Sequence, residues 1–197
     1  MNRRGMRLAA IALVAAGYLG ACALGPDPWS PKTYPREIKP YLKDTGALGG
    51  EWRKYQIKGM EETSFFFARE DRKATIAVSF TCGKYQDIPL DLLAEHLIFP
   101  MGRKPKIIRA GYVSAPRAEV YHLLAEGDYC YQDEAVYKDL GHVPRASAEM
   151  MVDAYVVGEP HCVVDLVYAA APADYARYVG DFRGYLASLK VPVEDND

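Results

Sequence analysis

Residues 148–170, AEMMVDAYVVGEPHCVVDLVYAA, decide the fold. Two runs rich in β-branched and aromatic residues, 148–157 and 162–170, flank Gly158-Glu159-Pro160-His161. Extended runs on either side of such a turn composition predict a β-hairpin. Within the second run Cys162, Val164, Leu166 and Tyr168 recur at every second position, so they share one face.

Further short runs extend the pattern toward the N-terminus. Residues 107–113 and 117–126 predict a second hairpin around Ser114-Ala115-Pro116. In 74–82, Ile76, Val78, Phe80 and Cys82 take one face and Thr75, Ala77, Ser79 and Thr81 the other, as in a half-buried strand. Residues 52–58 and 63–69 read as extended runs around Lys58-Gly59-Met60-Glu61. Asp87-Ile88-Pro89 has the form of a helix start, with Asp87 as cap and a proline where no donor is needed. Leu90, Leu93, Leu97 and Ile98 continue at helical spacing, and Pro100 ends the run. Pro172 opens a last helix whose apolar stripe is Tyr175, Tyr178, Val179, Phe182, Leu186 and Leu189. The predicted order is β-β-β-α-β-β-β-β-α. It implies an α+β fold, a mostly antiparallel sheet with two helices packed on a face.

Composition narrows the function classes. The 197 residues carry 24 Lys+Arg against 26 Asp+Glu, with 50% hydrophobic and 25% charged residues, so wholesale disorder is excluded. A net charge of −2 argues against a dedicated nucleic-acid binder. Beyond the extreme N-terminus no apolar run is long enough to span a bilayer, which excludes a multi-span membrane protein. Residues 51–190 are predicted to form a single globular α+β domain of a size that needs no disulfide to fold. Residues 191–197 are read as an acidic, frayed tail.

The N-terminus reads as an export signal. Arg3, Arg4 and Arg7 precede the apolar stretch Leu8–Leu19, and small residues follow. The tetrad Leu19-Gly20-Ala21-Cys22 resembles the lipobox of bacterial lipoproteins. That resemblance implies removal of residues 1–21 and a diacylglyceryl group on the Cys22 sulfur, with palmitate among the acyl chains. Ala23 in place of Asp implies sorting to the periplasmic face of the outer membrane where the cell has two membranes. An ordinary secretory signal with a coincidental cysteine is the alternative. Each buried methylene adds about 0.8 kcal/mol of membrane affinity, so two or more acyl chains anchor stably. Cleavage would leave 21 basic and 26 acidic side chains, so the lipid rather than the domain is expected to hold the membrane.

Residues 22–50 form the lipidated cysteine and a tether, with Pro26, Pro28, Pro31, Pro35 and Pro40 favouring extended polyproline II. At about 3.1 Å per residue such a segment reaches on the order of 80 Å. It acts either as a plain spacer or through Trp29, Tyr34 and Tyr41, which would dock on a partner or on the domain itself.

Three cysteines remain after lipidation, Cys82, Cys130 and Cys162. Export permits disulfides. Cys82 and Cys162 lie in phase with apolar residues and approach each other if both faces point to one core. They are then either a disulfide or two buried thiols packing as small hydrophobes. Cys130 sits in the polar stretch Asp128–Asp139, read as an exposed insertion without calcium-loop spacing.

His96, His122, His142 and His161 are scattered, with no close ligand pair, so no metal and no cofactor is expected. Surface or hydrogen-bonded histidines account for His96 and His122. Cys82 with His122 or His161 as base is a conceivable nucleophile pair, but a core-facing thiol is poorly accessible. Asp153 and Asp165 on neighbouring strands would form a carboxylate pair only if both faced one site, and solvent-facing positions are the better reading. No catalytic residue is assigned.

The element order and closing helix resemble the PsbP-like photosystem accessory proteins. The resemblance implies a non-catalytic accessory or binding role and transfers no residue. The expected function is a lipoprotein accessory module with a protein partner in the cell envelope. Fifteen tyrosines suit a recognition surface. The alternative is a lipid or small-ligand carrier, with Leu90-Leu93-Leu97 and Tyr178-Phe182-Leu186 lining a cavity between helices and sheet. The plainer reading of those stripes is core packing. An enzyme ranks behind both.

Overall fold

The computed structural model describes residues 39–42, 48–56, 64–83, 85, 87–101, 104–115, 117–132 and 145–193. Among the described residues seven strands form one antiparallel sheet: β1 (Trp52–Gln56), β2 (Ser64–Arg69), β3 (Ala74–Cys82), β4 (Lys106–Val113), β5 (Glu119–Gln132), β6 (Arg145–Glu159) and β7 (Cys162–Ala170). The helices are α1 (Lys39–Leu42), α2 (Leu90–Leu97) and α3 (Pro172–Ser188), with a 3-10 turn at Phe99–Met101.

The strand order is β1-β2-β3-β7-β6-β5-β4. The chain builds one half as a meander and leaves β3 through α2. It then enters the far edge at β4 and returns by hairpins until β7 pairs with β3. That closing pair matches Val78 with Leu166 and Cys82 with Cys162.

The two longer helices lie on opposite faces rather than on one face. One core joins Ile76, Val78, Leu166 and Tyr168 to Phe182 and Leu186 of α3. The other joins Ala154, Val156, Val163 and Val167 to Leu90, Ala94 and Leu97 of α2. The physical reason lies in the quoted stretch. From Val152 to Val157, and again from Leu166 to Ala170, the side chains of both faces are buried. Strands covered on both faces read as continuous apolar runs, not as an alternation. β3 does alternate: Ile76, Val78, Phe80 and Cys82 are buried, with Ala77, Ser79 and Thr81 only partly so.

Local details differ from the periodicity reading. At the start of α2, Pro89 occupies the N-cap and no side chain caps the first turn, so Asp87 does not serve. Pro100 falls inside the 3-10 turn that follows α2. β5 runs on to Gln132 and β6 starts at Arg145, paired residue by residue. Part of the stretch read as an exposed insertion, Asp128–Gln132, is therefore strand, and Tyr129 is buried. Residues 133–139, and the turn read at 58–61, lie outside the described residues.

Charge ties α3 to the β1–β2 side. The Arg69 guanidinium lies 3.9 Å from the Tyr178 ring centre and pairs with Glu51, Asp71 and Asp181. Trp52 Nε1 donates to Asp181 at 2.9 Å. Burial pushes the Asp71 carboxyl up, but donors from Lys73, Tyr178 and Arg69 outweigh it and hold it below the usual carboxylate range.

Candidate functional site

The open concave surface lies where the β4–β5 and β6–β7 turns meet the end of α3. A cleft of about 530 Å³ has Val120 and Val157 as its floor and Leu189 and Val191 on the α3 side. Arg117 and Lys190 are exposed members of its lining. A second cleft of about 580 Å³ shares Arg117, Glu159 and Pro160 with it and opens toward Ile88 and Leu90 on the other face. Lys190 follows α3 with φ 62° and turns the chain, so that Val191 packs back on the core at 4% exposure.

Tyr41 closes one side of the first cleft. It comes from α1, within the Pro-rich segment, yet it is only 4% exposed. Its hydroxyl donates to Glu159 Oε1 at 2.9 Å. Burial first, then the Glu159 carboxylate, raises the Tyr41 phenol far above its ordinary range, so it stays protonated and donating. Of the aromatics that might dock, Tyr41 therefore docks on the domain. Trp29 and Tyr34 lie outside the described residues.

Behind the Val120–Val157 floor, the same sheet face carries a buried polar chain. His122 and Asp153 are each 4% exposed. His122 Nε2 lies 2.8 Å from Asp153 Oδ1, and the Tyr175 hydroxyl donates to Asp153 Oδ2 at 2.6 Å. The imidazole stacks on Tyr155 at 4.3 Å. Tyr168 continues the chain by donating to the Tyr175 carbonyl at 3.2 Å. Burial and the Asp153 charge raise the Tyr175 phenol well above its ordinary range. His122 thus belongs to the hydrogen-bonded class of histidine. Asp153 does not face solvent, because α3 covers its face.

Asp153 and Asp165 form no carboxylate pair, since they point to opposite faces of the sheet. Asp165 is half-buried on the α2 side and accepts from Ser79 Oγ at 3.0 Å. Burial pushes its carboxyl up to about 6, and the Ser79 bond only partly offsets this.

A disulfide joins Cys82 to Cys162, directly opposed on β3 and β7 with a Cα–Cα distance of 4.0 Å. A thiol nucleophile at Cys82 is thereby excluded. Cys130 lies on β5 opposite Ser147. His96 is exposed on α2 with its ring 6.3 Å from Phe99, and His161 is exposed in the β6–β7 turn. His142 and Cys22 lie outside the described residues. Among the described residues no group of three or more His, Cys, Asp or Glu side chains is placed to hold a metal. The stripes Leu90-Leu93-Leu97 and Tyr178-Phe182-Leu186 pack into separate cores on opposite faces, so they do not line one cavity.

Periodicity marks neither Glu159 as the seat for Tyr41 nor Asp153 as the centre of a polar chain. Asp153 carried a signal: a carboxylate inside the apolar run Val152–Val157 must find partners or face water. Glu159, in a turn, carried none.

No family model matches the chain, and no curated protein matches it. Among solved structures, the cyanobacterial PsbP (CyanoP) of Synechocystis is similar with a TM-score of 0.45 and 13% identity, covering 71% of this chain and 81% of that one. A protein of unknown function from Pseudomonas aeruginosa is similar with a TM-score of 0.43 and 15% identity, covering 75% of this chain and 100% of that one. At these scores neither likeness bears on function, and no residue role is carried over.

Proposed function

We propose that this chain is an exported lipoprotein, lipidated on Cys22, whose domain serves as a non-catalytic accessory module of a cell-envelope complex. In a cell with two membranes it would sit on the periplasmic face of the outer one. The observation that carries the reading is the seat of Tyr41. It ties the end of the Pro-rich segment to Glu159, so the domain would hang from its anchor with the cleft end nearest the tether. A plain flexible spacer would leave that orientation free.

The positions of the chemistry-bearing side chains support a binding role. Cys82 and Cys162 are joined to each other. His122 and Asp153, which in an open cleft would make a base and its orienting acid, hold each other and Tyr175 behind α3.

The test is metabolic labelling of the full chain with a palmitate analogue, followed by crosslinking in intact cells. Label on the wild type, its loss in Cys22→Ala, and a crosslinked protein that depends on the anchor are expected. An unlabelled wild-type protein would remove the anchor, and an uncrosslinked one the accessory role.

One observation favours a second reading, a carrier for an apolar ligand with an acidic group. The first cleft has an apolar floor and the exposed cations Arg117 and Lys190 in its lining. Native mass spectrometry would then show a mass excess that disappears on denaturation. A bare polypeptide mass leaves the accessory reading ahead.

A further inference from the structure

We propose that the first cleft binds a fatty acid, and that the bound acid holds the tether on the domain through Tyr41. The inference rests on the carrier reading of this cleft and adds the ligand class and its coupling to the tether.

The cleft makes one polar demand on a ligand. Its volume of about 530 Å³ suits a small molecule. Val120, Val157, Leu189, Val191 and Pro192 make its lining largely apolar. Two of the polar side chains in the lining are engaged within the protein. Glu159, the one acid there, accepts from the Tyr41 hydroxyl at 2.9 Å. Ser188 Oγ donates to the Tyr185 carbonyl at 2.7 Å. Arg117 and Lys190 remain. Both are exposed, and among the described residues neither side chain has an ion-pair or hydrogen-bond partner.

A ligand that complements this lining has an apolar body and a single anionic group. A sugar, a nucleotide or a peptide would bring several polar groups against apolar walls, and each one buried without a partner costs free energy. A lysophospholipid would do the same with the ester and hydroxyl of its glycerol. A fatty acid brings only its carboxylate, and the two cations of the lining complement it.

The tether forms part of the same lining through Pro40 and Tyr41 of α1. The cleft exists with Tyr41 seated, so an acyl chain on the Val120–Val157 floor packs against its ring. Release of α1 would remove that wall and the apolar contact with it. Seat and ligand therefore share surface, and by linkage each strengthens the other by the same factor. An occupied domain is held to its tether more firmly than an empty one.

The test uses the full chain in nanodiscs of zwitterionic phosphatidylcholine, with radiolabelled decanoate as the probe and decanol as its uncharged counterpart. Equilibrium dialysis against empty discs reads affinity. Nitration by tetranitromethane, which attacks the ionised phenol, reads release of the tether when it is mapped to Tyr41, because burial and Glu159 keep the seated phenol un-ionised. Exposed Tyr112 is the reference. Decanoate is expected to bind about tenfold tighter than decanol, and R117Q/K190Q to lose that preference. Saturating decanoate should slow nitration of Tyr41 about tenfold and leave Tyr112 unchanged. Tyr41→Ala, checked by its melting curve, should weaken decanoate by the same factor, and nitration of the wild type decides if that variant does not fold. No decanoate above the empty-disc level would overturn the carrier reading and this inference together. Binding with unslowed nitration of Tyr41 would overturn the coupling and leave the carrier reading standing. Equal binding of decanol, or an undiminished preference in R117Q/K190Q, would overturn the acid as the ligand.

Discussion

The Tyr41 hydroxyl donates to Glu159 Oε1 at 2.9 Å, joining two residues 118 positions apart. The contact makes the end of the Pro-rich segment part of the domain core, with Tyr41 packed beside Val120, Val157 and Val191.

Removing only the hydroxyl, in Tyr41→Phe, should lower stability by about 1 kcal/mol, the usual net value of one hydrogen bond. Tyr41→Ala should lose about 2–4 kcal/mol, because the ring's packing goes as well. Urea unfolding checks both. Equal, negligible losses would mean that the ring does not belong to the core in solution.

The Cys82–Cys162 bridge closes a loop with a sequence separation of 80 between the two halves of the sheet. Cys82→Ser should lower unfolding free energy by about 2–4 kcal/mol. Reductant should have the same effect on the wild type and none on the variant. Alkylation without reductant should leave both cysteines unmodified in intact-mass spectra.

The His122–Asp153–Tyr175 chain predicts strongly coupled losses. Asp153→Ala should cost about 3–5 kcal/mol, since it leaves two buried donors without their acceptor. Tyr175→Phe should cost about 1–2 kcal/mol. The double variant should fall short of the sum by about 1 kcal/mol or more, as contacting residues do. A strictly additive pair in denaturant titrations would mean that the chain is not formed.

Asp165 gives a pH dependence of defined sign. Its carboxyl is pushed up to about 6 in the folded protein, against an unfolded value near 3.9. Below the unfolded value both states hold the proton and folding is not penalised. As pH rises toward 6 the unfolded chain releases its proton first, so stability falls, and it levels off above 6. Asp165→Asn should remove this decline and raise stability at pH 7 by on the order of 1–2 kcal/mol, a figure reduced because the side chain keeps some solvent contact. Melting curves between pH 4 and 7 that run parallel for variant and wild type would contradict the assignment.

Much of the fold is legible in the sequence because it is set by local periodicity. The alternation through 74–82, the hairpin composition at 158–161 and the stripe from Tyr175 to Leu189 lead to the right elements in the right order. Periodicity also brings Cys82 and Cys162 into phase with the core residues of their strands.

Only the tertiary structure decided which face each helix covers. A strand of continuous apolar residues calls for cover on both faces, but nothing in its spacing says which helix covers which face. α3 covers the face that carries Asp153 and buries it in place of the expected solvent position, and the β6–β7 register sets Asp165 on the opposite face. The same folding carried Tyr41 to Glu159 and left β4 as an edge. Contacts between residues far apart in sequence leave no local pattern, because nothing in the spacing of either segment depends on the other. The sequence by itself determined the elements and their apolar faces. The packing of two layers on one sheet determined the buried polar chain, the seat of the tether and the edge left open.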